Sequence, residues 1–185
     1  MDMVDIASIF KKYYPDGEPL SQLVWQHSEQ VARLADAIAR AHPELPIEKH
    51  FLYEAAMLHD IGVFRTYAPA ILCMGNENYM RHGIIGAEIL KAEGLPRHAL
   101  VCERHIGVGL TVDDIVRQQL PLPHRDMLPV TLEEKLVCYA DNFFSKSHPL
   151  EKKTFDAVRQ SCSRYGVENL RRFDELARIF GSKIY

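Results

Sequence analysis

The stretch Ala55-Ala56-Met57-Leu58-His59-Asp60-Ile61-Gly62-Val63-Phe64 decides how the rest of the chain is read. An apolar run typical of a buried helix ends in an imidazole and a carboxylate side by side, and a glycine follows two residues later. Burying a His and an Asp is costly unless each is paired or bound to a cation, so the pair asks for partners elsewhere in the chain. An isolated His-Asp dipeptide is more simply a local contact where a helix reaches solvent. The other histidines and aspartates choose between these readings.

Outward from this stretch, nearly every segment repeats its apolar residues with helical spacing. An amphipathic helix is expected from Asp2 to Tyr14, before Pro15-Asp16-Gly17, and a second is capped by Ser21 and runs to about His42. The stripe of the second, Val24, His27, Val31, Leu34, Ala35 and Ile38, puts His27 on the buried face. A third helix follows Pro46 and ends at Gly62, a fourth runs from His82 to Gly94, and a fifth from Pro96 to near His105. Thr111 caps a short helix to Arg117, and Thr131-Leu132-Glu133-Glu134 is a capping box opening a helix that passes Asp141 and Phe144. Two further helices, about Glu151 to Arg164 and Val167 to Phe180, finish the pattern. Residues 64–81 show no clear period, and three prolines make Leu120 to Pro129 irregular. The expected fold class is all-α: a helical bundle with a site between its helices, formed as one domain over 1–185, with a core of about 20–145 and the helices of 151–180 packing on it.

Six ionisable residues fall on inner faces or helix ends: His27, His59, Asp60, His82, His105 and Asp141. They come from five helices, at intervals too long for a local metal-binding loop, which points to the middle of a bundle. Four imidazoles and two carboxylates suit borderline divalent metals, Fe, Mn, Co, Ni or Zn. One ion does not accommodate six ligands comfortably, whereas two ions sharing a bridging carboxylate would use them all. Neighbours on a helix point ~100° apart, so His59 and Asp60 can reach one centre only where the helix ends, a turn that Gly62 permits.

Composition narrows the rest. The 185 residues are 47% hydrophobic and 25% charged, as in ordinary globular proteins, and the net charge of -3 offers no broad surface to nucleic acid. The apolar runs fall short of a membrane span, and the acidic start Met1-Asp2-Met3-Val4-Asp5 does not read as a secretory signal, so a cytoplasmic protein is expected. Cys73, Cys102, Cys138 and Cys162 form no Cys-x-x-Cys pair and read as free, mostly buried thiols.

The order His…His-Asp…His…His…Asp, with His-Asp-Ile-Gly intact, resembles the HD superfamily of metal-dependent phosphohydrolases over roughly Leu20 to Ser145. Thr-Leu-Glu-Glu-Lys-Leu-Val-Cys-Tyr-Ala-Asp-Asn and His-Ile-Gly-Val-Gly-Leu-Thr are similar to a subgroup of small HDIG-domain proteins of unassigned substrate. The resemblance implies His27, His59, Asp60 and Asp141 as the minimal metal set, with His82 and His105 as the extra histidines of branches that hold a second metal. It implies hydrolysis of a nucleotide or other small phosphate ester, as a phosphohydrolase or phosphodiesterase, by a water activated at a dinuclear site. Asp60 would join the two ions, Asp141 would bind metal and accept the water proton, and Arg65 would meet the phosphate, with Arg81 and Arg104 as further candidates. Lys135, off the face of Asp141, reads as a surface or structural residue. His42, His50, His98, His124 and His148 read as surface or cap residues, and Tyr67, Asn76, Asn78 and Tyr79 as either a substrate lid or loop filler. Two other readings stay open: a di-iron oxygenase on the same ligand set, and a non-catalytic nucleotide-binding module. The expected partner is a small phosphorylated or nucleotide substrate, without a membrane; monomer and dimer are both open.

Overall fold

Pro19 opens the longest element, α2 (Pro19–Ala41), where a missing N–H costs nothing because the first turn of a helix has no internal acceptor for it. Ser21, expected as the cap, instead donates its hydroxyl to the Pro15 carbonyl at 2.7 Å. The computed structural model describes residues 4–181. Before α2 lies α1 (Ile6–Tyr13), capped by Asp5; the expected start at Asp2 lies outside the described residues. After it come α3 (Lys49–Leu58), α4 (His82–Ala92), α5 (Pro96–Arg104), α6 (Val112–Arg117), α7 (Leu132–Asp141), α8 (Phe155–Ser163) and α9 (Val167–Phe180). The fold class is all-α, as the periodicity implied.

Segment 64–81 departs from that expectation. It contains a small sheet, β1 (Thr66–Ala68), β2 (Cys73–Met74) and β3 (Glu77–Asn78), with β1 central, antiparallel to β2 and parallel to β3. Strands of two and three residues are too short to show alternation, which is why they were illegible. Thr131 caps α7 as expected, accepting from Glu134 N at 3.2 Å, but the box does not close. The Glu134 carboxylate accepts from Val130 N and from Arg104, each at 2.8 Å. The reciprocal box forms instead at α6, between Thr111 and Asp114.

Of the three apolar clusters among the described residues, two join most of the helices. One joins α2, α3, α7 and α9 through residues such as Leu34, Ile38, Leu52, Val137 and Phe173. There Phe173 on α9 stacks on Tyr139 of α7, centroids 5.6 Å apart, so the C-terminal helices seal this core. The other joins α1, the turn after α3, α4 and α5 through Phe10, Tyr14, Ile61, Ile85 and Leu90. All four cysteines are free and buried. Among the described residues no helix is long and apolar enough to cross a membrane.

Candidate metal centre

Beyond Leu58 the backbone of α3 tightens: Ile61 N donates to Leu58 O and Val63 N to Asp60 O, at 3.1 and 3.0 Å. His59 and Asp60 thus leave the helix at its end and both turn inward, each with no solvent exposure. Gly62 serves this turn differently from the sequence expectation. Its backbone is ordinary (φ -86°), but a Cβ would meet the His82 carbonyl at 2.3 Å and Gly86 N at 2.4 Å. The glycine is needed for the close approach of α4, not for a special turn. Tyr14 braces the turn, donating to Asp60 O and accepting from Phe64 N, both at 3.2 Å. The Cys102 thiol lies 3.0 Å from His59 O.

All six expected ligands converge around Asp60. On one side, His27 Nε2 lies 3.3 Å and His59 Nε2 3.2 Å from Asp60 Oδ2, and the same two nitrogens lie 2.9 and 3.6 Å from Asp141 Oδ1. On the other, His82 Nε2 and His105 Nε2 lie 3.5 and 3.6 Å from Asp60 Oδ1 and 3.1 Å from each other. The Asp60 carboxylate therefore presents one oxygen to each pair of imidazoles.

Three of the rings have fixed tautomers. His59, His82 and His105 each place Nδ1 at 2.6–2.7 Å from a carbonyl three residues earlier, of Ala56, Tyr79 and Cys102. A carbonyl only accepts, so each Nδ1 carries the proton and each ring, when neutral, turns the lone pair of Nε2 inward. Two such lone pairs 3.1 Å apart, at His82 and His105, repel unless a cation lies against them. Asp60 Oδ1 and His59 Nε2 are buried without a hydrogen bond, and Asp60 Oδ2 is met only by the His27 and His59 rings and the Lys146 ammonium. Imidazole and carboxylate donors buried and unsatisfied in this way fit a divalent transition metal, and the sets His27, His59, Asp141 and His59, Asp60, His105 each bring their donor atoms within 4.8 Å of one another.

The electrostatics agree. Burial opposes charge on Asp60, yet Lys146 and His59 hold its carboxyl well below the usual range. Asp141 is likewise held low, against burial, by His27 and His59. Burial also disfavours a charged His59, but Asp60 and Asp141 raise its pKa to about 10. His82 moves the other way: burial takes it down to about 3, with His105 and Lys146 adding to the effect against the pull of Asp60. The centre thus demands positive charge, most strongly on the side of the two carboxylates.

A cavity of about 200 Å³ opens onto the cluster, lined among others by His27, Tyr79, His105, Asp141 and Lys146. Arg65 is exposed and does not line it. Arg81 pairs with Glu77 and donates to Pro121 O, and Arg104 pairs with Glu134. The cation that does reach the site is Lys146, with Nζ 2.5 Å from Asp60 Oδ2 and a side chain only 8% exposed. Sequence reading missed it because it lies past the end of α7, where helical periodicity no longer says which way a side chain points. Of the four loop residues read as lid or filler, Tyr79 packs against the His82 ring at 4.7 Å and lines the cavity, while Tyr67, Asn76 and Asn78 are exposed. His98, read as a surface or cap residue, is buried and pairs with Glu54 at 3.2 Å; its α5 face turns inward against Phe51.

Comparison with known proteins places these residues in a family. An uncharacterized protein of Methanocaldococcus jannaschii is 41% identical over 116 residues, 62% of this chain and 60% of the relative. Two proteins named tRNA (cytidine(56)-2'-O)-methyltransferase are each 34% identical: one from Picrophilus torridus over 86% of this chain and 43% of its own length, one from Thermoplasma volcanium over 87% and 44%. The chain thus spans less than two thirds of the length of each of these relatives. No solved structure matches it. The sequence model of the HD domain matches residues 24–145, the span that carries all six converging side chains, and the chain belongs to the HD domain family.

Proposed function

We propose that this chain is a metal-dependent phosphohydrolase or phosphodiesterase that cleaves a nucleotide or other small phosphate ester, with His27, His59, Asp60 and Asp141 holding one divalent ion and Asp60, His82 and His105 a second. The observation that carries this reading is the division of the Asp60 carboxylate between two pairs of imidazoles. Bound ions of this kind supply Lewis acidity, making hydroxide available at neutral pH and neutralising charge on a phosphoryl oxygen. The chain supplies the rest. Backbone carbonyls fix three imidazoles as neutral donors, so the cluster is preorganised. Asp141, 19% exposed where Asp60 is fully buried, faces the cavity and is the carboxylate placed to take a proton from the attacking water. The apolar walls around His59 and Asp60 exclude bulk water from all but the cavity side.

A small cavity and a net charge of -3 support a compact substrate over a long polyanion. The methyltransferase relatives fit the nucleotide class through their named tRNA target, while the region aligned with them is under half of each. We propose that this region is a hydrolytic unit distinct from methyl transfer.

The reading is tested by assaying phosphate release from nucleotides and small esters with added Mn²⁺ or Fe²⁺, for the parent protein and for His59→Ala. The parent should turn over at least one ester, and His59→Ala should lose metal and turnover together. Full activity in His59→Ala would refute the site.

A further inference from the structure

The strongest cation in the centre is one that the ligand pattern does not include. Lys146 follows α7 by five residues, and its Nζ lies on Asp60 Oδ2, the oxygen that also faces His27 and His59. A divalent ion held by those two imidazoles would need the same oxygen, and two cations do not share one carboxylate oxygen without strong repulsion. An ammonium on a four-carbon stem can move away, whereas the His59 ring, held by the Ala56 carbonyl, and the His27 ring, buried on α2, have no such reach. Where it can go is visible. Lys146 lines the cavity over the cluster, and with Tyr79 it also lines a second cavity of about 200 Å³ whose other walls are Ala68, Ala70, Ile71, Ser145 and Ser147. Each cavity alone is smaller than the roughly 300 Å³ at which small-molecule sites begin. Lys146 stands at their junction.

We propose that Lys146 is a substrate-binding residue for the phosphoryl group: its ammonium, which lies on Asp60 Oδ2, would leave that oxygen to a divalent ion held by His27, His59, Asp60 and Asp141 and bind the phosphoryl oxygens where the two cavities meet. The organic part of the ester lies in the second cavity, against Ala68 and Ile71. The assignment rests on the hydrolase reading, and its test separates the two.

The experiment compares the parent, Lys146→Met and Lys146→Arg in three measurements: Mn²⁺ affinity of metal-free protein, affinity of the Mn²⁺-loaded protein for inorganic phosphate, and melting temperature. Methionine keeps the packing and removes the charge. Lys146→Met should bind Mn²⁺ about tenfold more tightly, because the competing cation is gone, and bind phosphate about tenfold more weakly. Lys146→Arg should recover most of the phosphate affinity. Unchanged phosphate affinity in Lys146→Met would overturn the proposal, as would weaker Mn²⁺ binding, which would mark Lys146 as a structural partner of Asp60. These measurements need no turnover, so an absence of ester hydrolysis would refute the hydrolase reading while leaving the Lys146 result to be read on its own.

Discussion

The two sides of Asp60 look alike in the sequence and differ in the structure. On the Oδ2 side, two imidazoles face two carboxylates, and the charge there raises the pKa of His59 to about 10. On the Oδ1 side, two imidazoles face a single carboxylate oxygen, and burial takes His82 down to about 3. A backbone carbonyl orients His59 on the first side and both His82 and His105 on the second, so geometry separates the sides little. Charge does: the first side provides four donors with two negative groups, the second three donors sharing one of them. A tight first ion is therefore expected at His27, His59, Asp60 and Asp141 and a weaker second one at His82 and His105.

The largest effect should come from removing what the two sides share. Asp60→Asn deletes the charge common to both, and metal content should fall to background with ester turnover down on the order of a thousandfold. Elemental analysis and phosphate release check this; an Asp60→Asn protein that keeps two ions would show that the carboxylate does not bridge. Next, His82→Ala should break only the weaker side, lowering metal content from about two to about one per chain; an unchanged ratio would remove His82 from the ligand set. Smaller again is Tyr14→Phe, which leaves Asp60 O and Phe64 N without their bridge. It should cost about 1 kcal/mol of stability, read by denaturant unfolding, and change metal affinity on both sides equally. Arg65→Ala should matter least, because that side chain is exposed: substrate KM should change less than twofold, and a large rise would restore Arg65 as a phosphate contact.

What was legible in the sequence has a physical reason. The helices were readable because amphipathic stripes repeat at 3.6 residues, and the convergence of His27, His59, Asp60, His82, His105 and Asp141 was readable because each sits on such a stripe or at a helix end. The brace from Tyr14 and the role of Gly62 were not, because both depend on contacts between elements far apart in the chain: α1 against the turn after α3, and that turn against α4. Lys146 was hidden for a different reason. It follows the end of α7, where nothing in the local pattern indicates that a lysine will be buried. Arg65, two residues after the start of a short turn, is near Gly62 in sequence, and nearness in sequence does not bring it to the cavity.

The measurement that bears most directly on the central claim is elemental analysis of protein purified without chelator, paired with phosphate-ester assays supplemented with Mn²⁺ or Fe²⁺. About two divalent ions per chain are expected, one lost more readily than the other on dialysis, with phosphate released from at least one ester. A single ion that survives dialysis unchanged would contradict the bridging role of Asp60. Two irons with oxygen consumption and no phosphate release would contradict the hydrolase reading and favour oxygenase chemistry on the same ligands.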